Sequence, residues 1–294
     1  MSDNLFPENS SFPNPLEKRV GKQFFDDLPS KPGIYKMYGF ASRLLYIGKS
    51  KNLRNRLFSY RRANQSNSSR KVCRLVRMVY KIEFTICSSE EAALLKENAL
   101  IRKFKPEFNR AKKSPHSYYY LCLDISDQKF DFNLDMNLPK NRNEDPLIYG
   151  AFKGHGVVRG GTGALLRQLY LIEHKIDTPF KYPSPLLNKF TPKGYSMTIK
   201  EGVICEDSFM QSFSDYLNGR STQLITSITK IIEQRALLSE FIGKLILRDL
   251  KSMHVFFKYC LKRNRRLIDK LELDETYILQ ENLDDYLIKA AFKD

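Results

Sequence analysis

Leu45-Tyr46-Ile47-Gly48-Lys49-Ser50-Lys51-Asn52-Leu53-Arg54-Asn55-Arg56-Leu57 decides how the first third of this chain folds. Leu44 to Ile47 has strand propensity, and Gly48, which can take a backbone shape closed to other residues, is expected to end the strand. A helix then fits Asn52 to Arg61, with Leu53, Leu57 and Tyr60 at i, i+4 and i+7 on one face and Arg56 beside them. Upstream, Pro32-Gly33-Ile34-Tyr35 opens a strand that runs to Tyr38. Gly39-Phe40-Ala41-Ser42 supplies a turn, so two short strands form an antiparallel pair. Downstream, Asn64 to Ser69 reads as a loop. Lys71 to Tyr80 reads as a helix with Val72, Leu75, Val76 and Val79 inward and Lys71, Arg74 and Arg77 outward. Lys81 to Cys87 alternates as a third strand, with Ile82, Phe84 and Ile86 facing one way.

The best-formed helix follows. Ser88-x-x-Glu91 reads as a capping box and Pro106 as the stop. Its apolar stripe is Ala93, Leu94, Leu100, Ile101 and Phe104, and Glu97 falls in the middle of it. A buried unpaired carboxylate costs several kcal/mol, so Glu97 needs a cation, a metal ion or a water-lined cleft. A structural ion pair with Lys or Arg would explain it equally well.

Residues 1–27 read as a mobile lead-in rich in Pro, Asn and Ser, with Phe24, Phe25 and Leu28 docking on the module after it. Residues 28–112 form that module. Residues 113–203 read as a mixed connecting region: a strand over Ser117 to Ile125, an acidic loop, Leu147 to Phe152, then glycine-rich Gly154 to Gly163 leading into a helix from Ala164 to Lys175. A glycine loop opening a helix can cradle phosphate, but this one lacks the P-loop Lys-Ser/Thr and the dinucleotide spacing. A turn or a backbone contact to DNA remains open for it. Residues 178–203 are Pro-rich and irregular. Residues 204–294 read as helical, with Leu224, Ile228, Ile231, Ile232, Arg235 and Leu238 on one long helix running towards Leu250. Lys262-Arg263-Asn264-Arg265-Arg266 reads as a solvated turn. The fold class is therefore α+β: a small three-stranded antiparallel sheet flanked by helices, then a mixed region and a mainly helical one.

With 294 residues, 42% hydrophobic and 28% charged, the chain can bury a core and is not a disordered polymer. No apolar run approaches the roughly 18 to 20 residues that cross a bilayer, and the first residues lack a signal-peptide pattern. Cys73, Cys87, Cys122, Cys205 and Cys260 stand far apart, which suits neither a disulfide framework nor a zinc site, so a reducing cytoplasm is expected. Charge is uneven: residues 1–113 hold 24 Lys and Arg against 10 Asp and Glu. Between Leu28 and Ile82 there are fourteen basic residues and no acidic one. A solvated helix face usually mixes signs, and no amphipathic anchor points to a membrane. A polyanion fits best, because each neutralised phosphate releases counterions. Lys51, Arg54, Arg61, Arg62, Arg70, Lys71, Arg74 and Arg77 are the expected DNA contacts.

Residue types suited to phosphodiester hydrolysis lie in the same module. Glu97 can hold one Mg²⁺ or Mn²⁺, an ion that needs only one or two protein carboxylates and acts as Lewis acid at a phosphate. Arg56 and Lys49 suit the charge developing on phosphoryl oxygens. Tyr35, Tyr46 and Tyr60 can relay a proton if nearby positive charge, from Lys49 and the metal, lowers a pKa that is ordinarily about 10. Read blandly, they are three core-edge tyrosines with hydrogen-bonded hydroxyls.

The order Gly33-Ile34-Tyr35, Tyr46-Ile47-Gly48, Lys49, Arg56, Tyr60, Glu97, Asn109 resembles the GIY-YIG nuclease superfamily. The strings Tyr46 to Leu53, Leu94 to Ile101 and Lys105-Pro106-Glu107-Phe108-Asn109 are similar to the N-terminal nuclease of the bacterial excinuclease UvrC and its short homologue Cho. That resemblance implies that Glu97 binds the single metal ion and Tyr46 serves as base or base relay. It further implies that Tyr35 orients the water, Arg56 and Lys49 stabilise charge, Tyr60 contacts the phosphate and Asn109 braces the site. The implied reaction is incision of one DNA strand 3′ to a lesion in nucleotide excision repair, by a monomer, with a UvrB-like damage-recognition helicase as a partner besides DNA. A GIY-YIG nuclease of recombination or mobile-element processing, and a DNA-binding module with a silent nuclease, are the alternatives. Tyr149 to Phe152 and Phe213 to Met253 are more weakly similar to later UvrC segments. The family's four-cysteine cluster has no counterpart between Asp177 and Gly202, so no iron–sulfur cluster is expected. No second, RNase H-like nuclease or helix-hairpin-helix module follows, so a second incision is not expected of this polypeptide.

Overall fold

A computed structural model describes residues 14–109, 118–126, 129–138, 146–178, 181–188, 192–199, 203–234 and 240–293. The chain divides into two compact units, Met1–Pro115 and His116–Asp294.

In the first unit, β1 (Gly33–Tyr38), β2 (Leu44–Ser50) and β3 (Lys81–Ile86) form an antiparallel sheet in the order β2-β1-β3. Tyr35 stands opposite Gly48 and Met37 opposite Tyr46. Around it lie α1 (Leu16–Val20), α2 (Lys22–Asp26), α3 (Leu53–Arg61), α4 (Arg70–Met78) and α5 (Glu90–Phe104). Asn52 caps α3 by accepting from the Asn55 N–H, and Ser69 caps α4 by accepting from Val72. The apolar faces read from the sequence meet in one core that includes Met37, Leu45, Leu57, Leu75, Val76 and Val79.

Four local expectations change. β2 continues through Gly48 to Ser50, because Gly48 is needed for space rather than for an unusual φ. The lead-in is helical from Leu16: Leu16 and Phe25 are buried, and the Asn14 amide donates to the Tyr60 and Arg61 carbonyls at the end of α3, 2.8 and 2.9 Å away. Residues 1–13 of that lead-in lie outside the described residues. Ser89, not Ser88, caps α5, its hydroxyl accepting from Ala92 at 3.0 Å, which frees Glu90 to pair with Lys49. Ala93, Asn98 and Ile101 form the covered face of α5, so Phe104 stays exposed and Glu97 is half-buried.

The second unit is built on a sheet of β4 (Tyr118–Ser126), β5 (Lys129–Asp135), β6 (Leu147–Lys153) and β7 (Gly194–Thr198), in the order β6-β4-β5-β7. β4 is covered on both faces. Tyr119, Leu121 and Leu123 enter one core, while Tyr118, Tyr120 and Cys122 enter another with Leu267, Ile278 and Leu283. The helices are α6 (His155–Glu173), α7 (Ser184–Leu187), α8 (Asp207–Leu217), α9 (Gln223–Glu233), α10 (Glu240–Phe256), α11 (Lys262–Leu271) and α12 (Gln280–Phe292). The connecting and helical regions, expected as separate stretches, share one core running from Tyr119 to Leu261.

Here the structure corrects more. The glycine-rich segment is no loop but the first half of α6. A Cβ on Gly161 would lie 2.2 Å from the Phe256 Cβ, so this glycine lets α10 close on α6. The acidic loop contains β5, whose Phe130, Phe132 and Leu134 point inward between polar neighbours. The irregular stretch contains α7 and β7. The long helix is two, α9 and α10, with Arg235 and Leu238 outside the described residues. Arg263 to Arg266 sit on α11, where buried Asn264 donates to the Ala151 carbonyl at 2.9 Å. Among the described residues no helix is long and apolar enough to cross a membrane.

Candidate active site

β2 lies at one edge of its sheet, so alternate backbone groups on its outer side have no strand to meet. Two side chains take that role. Asn109, buried just beyond α5, accepts from the Ile47 N–H at 2.9 Å and donates to the Ile47 carbonyl at 2.8 Å. Two residues along the same edge, the Lys49 N–H donates to Glu97 Oε1 at 3.0 Å. Glu97 is thus aimed by backbone at the outer rim of β2.

On the neighbouring side four residues converge. Arg56 and Tyr60 stand one helical turn apart on α3 and therefore share a face. Arg56 donates from Nε to Tyr35 Oη (3.1 Å) and from Nη2 to Tyr60 Oη (3.2 Å), and the two hydroxyls lie 3.1 Å apart. Tyr46 packs on Tyr35 with ring centroids 6.0 Å apart. Gly48 makes this possible: a Cβ there would meet Tyr35 Oη at 2.4 Å.

Burial pushes the Tyr46 hydroxyl up to about 12, Tyr60 adds to the shift, Arg56 opposes it, and the Glu97 charge pushes the same way as burial. Tyr35 is pushed well above its ordinary value, first by burial and then by the adjacent phenols. For Arg56, burial works against the charge, but Tyr35 and Tyr60 outweigh it and hold the guanidinium above its usual value. The Lys49 ammonium, expected to act on a tyrosine together with the metal, is bonded to Glu90 Oε1 at 2.6 Å. Glu90, which sequence reasoning missed, was signalled only by its place in the first turn of α5.

The expected DNA contacts divide. Lys51, Arg62, Arg70, Lys71 and Arg77 are exposed, and Arg70, Arg74 and Arg77 line a groove along α4 with Ser68. Arg61 instead forms a two-pronged pair with Glu17 (2.7 and 2.8 Å). Arg54 donates to the carbonyls of Asp26 and Leu28, and Arg74 pairs with Glu107 at 3.3 Å. Arg54 and Arg61 also lie over the Phe58 ring and Arg74 over the Phe108 ring.

No group of three or more His, Cys, Asp or Glu gathers among the described residues. Glu97 beside phenol oxygens is a sparse, hard-oxygen donor set. That suits magnesium, which keeps several waters and takes few carboxylates, and it does not suit zinc.

Residues 31–110 match the UvrC-like GIY-YIG domain family. The UvrABC system protein C of Synechococcus sp. (strain CC9311) is 31% identical over 246 residues, which is 81% of this chain and 35% of that protein. That of Prochlorococcus marinus (strain MIT 9211) is 31% identical over 241 residues, 80% of this chain and 36% of that protein. The chain thus spans about a third of the length of these relatives. Among solved structures, the GIY-YIG N-terminal endonuclease domain of UvrC from Thermotoga maritima, bound to magnesium, is 31% identical. It covers 30% of this chain and 93% of that domain, with a TM-score of 0.27. Residues 31–110 of this chain are thus a UvrC-like GIY-YIG domain.

Proposed function

We propose that this chain is a divalent-metal-dependent DNA endonuclease that incises one strand 3′ to a lesion in nucleotide excision repair, working with a UvrB-like helicase. The observation that carries the reading is the cluster of Arg56 with the Tyr35 and Tyr60 hydroxyls, beside Tyr46, whose phenol feels the charge of the Glu97 carboxylate held on the Lys49 N–H of β2. A DNA-binding module has no use for such a constellation.

Glu97 would hold the metal ion, one Mg²⁺ or Mn²⁺, with its carboxylate already aimed by the Lys49 N–H. Bound there, the ion supplies Lewis-acid polarisation of the scissile phosphate. Arg56 sets its charge where negative charge grows on the phosphoryl oxygens. Tyr46, half-buried at the rim, would relay the proton of the attacking water, taking it up as its own hydroxyl proton passes to solvent. Tyr35, fixed by Arg56, keeps the Tyr46 ring in place. The Lys49 ammonium sits in a half-exposed pair with Glu90, which a phosphate can displace. Asn109 keeps Ile47, and so Tyr46 and Gly48 beside it, in place.

The test is a nicking assay with Mg²⁺ on lesion-bearing and plain duplexes. Glu97→Gln is expected to lose cutting by at least 100-fold and to keep DNA binding. Equal cutting by the variant would remove Glu97 from the mechanism, and preferential cutting of branched junctions would move the chain from repair to recombination.

A further inference from the structure

The turn between β1 and β2 presents an aromatic ring to solvent. Phe40 is 80% exposed and Tyr80 48% exposed, and the two rings meet edge to face with centroids 6.3 Å apart. Arg19 lies over Tyr80, 4.2 Å from the ring centre. Its Nη1 is pinned by the carbonyls of Arg77 (2.6 Å) and Val79 (3.3 Å). Guanidinium, Tyr80 and Phe40 therefore form a braced stack that ends on an open ring.

The turn that holds Phe40 out is itself unfavourable. Ala41 and Ser42 have φ of 52° and 56°, in the left-handed region where Asn and Gly sit without strain and other residues do not. The Arg43 N–H closes the turn on the Phe40 carbonyl at 3.3 Å. Isolated exposed aromatics are ordinary. Two in contact, backed by an arginine, on a strained turn, inside a stretch of fourteen cations and no anion from Leu28 to Ile82, are not. Arg43 and Lys81 beside the turn are paired with Glu107 and Glu83, while Arg19 and Arg77 leave the patch with net positive charge. An open aromatic face there suits the exposed bases of a strand whose backbone is negative. Distance sets the place. Phe40 lies three residues beyond Met37, the cross-strand partner of Tyr46, a stretch of chain that spans at most about 10 Å, or roughly three nucleotides.

We propose that Phe40, backed by Tyr80 and Arg19, stacks on an unpaired base a few nucleotides from the bond that is cut, and so favours distorted DNA over continuous duplex. The proposal rests on the DNA-cleavage reading above. The chain has no tryptophan, so Phe40→Trp creates a single reporter in the full-length protein. That variant, carrying Glu97→Gln to prevent cutting, is titrated with a duplex holding a central unpaired bubble and with the same duplex fully paired. Binding itself is followed separately by the anisotropy of dye-labelled DNA. The bubble is expected to quench the tryptophan and the paired duplex to leave it bright. Phe40→Ala and ring-free Phe40→Leu should each weaken bubble binding roughly 5- to 100-fold, as loss of a stacked base does, while Phe40→Trp retains it. Anisotropy reporting bubble binding with unchanged tryptophan emission would overturn the stack and leave the cleavage reading standing. Full affinity in Phe40→Leu would also overturn it. An emission change only on adding a damage-recognition helicase would overturn it in favour of a protein contact. No binding of any DNA by the wild type would bring down both readings.

Discussion

Gly48 shows how much one hydrogen atom in place of a methyl can decide. Tyr35 crosses from β1 over the backbone of β2 to reach Arg56 and Tyr60, and Gly48 leaves the gap it crosses. Gly48→Ala is expected to displace the Tyr35 hydroxyl, to cost about 1–3 kcal/mol as overpacking does, and to lower nicking by more than the stability loss explains. Denaturant midpoints and single-turnover nicking on the same preparation check both. The phenols also set a pH dependence. Tyr35 and Tyr46 hold their protons more tightly folded than unfolded, as does buried Tyr216 in the second unit. Unfolded tyrosines ionise near 10, so above that pH the unfolded state binds fewer protons and stability must fall. The phenols' contribution is expected to be constant below about pH 9, and stability to decline as pH rises through 10 towards 12. Urea midpoints across that range test it, and Tyr46→Phe should flatten the first unit's share. The tyrosines, Arg56 and Glu97 were legible in the sequence because their order carries a known pattern. The Lys49–Glu90 pair and the Asn14 clamp on α3 were not, since each joins residues far apart whose types serve equally well elsewhere.

At the level of elements, short-period signals were readable and long-range packing was not. β1, β2 and β3 announce themselves by turn residues and alternation, and α5 by its cap and its proline. β5 also alternates, with Phe130, Phe132 and Leu134 inward, but its acidic neighbours disguised it as a loop. The first half of α6 was hidden more completely. Glycine lowers helix propensity by about 1 kcal/mol per residue relative to alanine, and only the approach of α10 explains why Gly161 sits inside a helix. Gly161→Ala is expected to destabilise the second unit by about 1–3 kcal/mol, although alanine favours helix. Chemical denaturation, with the first unit's nicking as a check on intact chemistry, reads that reversal of sign. The same interface carries a buried ion pair in which Arg167 donates to both Asp249 oxygens at 2.7 and 2.8 Å. Overpacking at Gly161 therefore acts where a polar geometry has little room to adjust.

For the whole chain, the charge asymmetry is the property most directly readable from composition. It sets residues 1–113, with 24 Lys and Arg against 10 Asp and Glu, apart as the strongly basic part. Arg54, Arg61 and Arg74 also bond the unit's own carbonyls and acids. Lys51, Arg62, Arg70 and Lys71 remain exposed. If those four meet phosphates, affinity for plain duplex is expected to drop roughly 100-fold between 50 and 200 mM salt. Anisotropy titrations over that range measure the slope, and a flat one would say that the cations do not touch DNA.

Glu97 and Asn109 have a second effect, because the backbone groups they occupy belong to the border of a sheet. Left bare, that border would offer a ready template on which another polypeptide could add a strand. Losing either side chain would therefore bare that border, and the variant is expected to be adhesive whether or not it cuts.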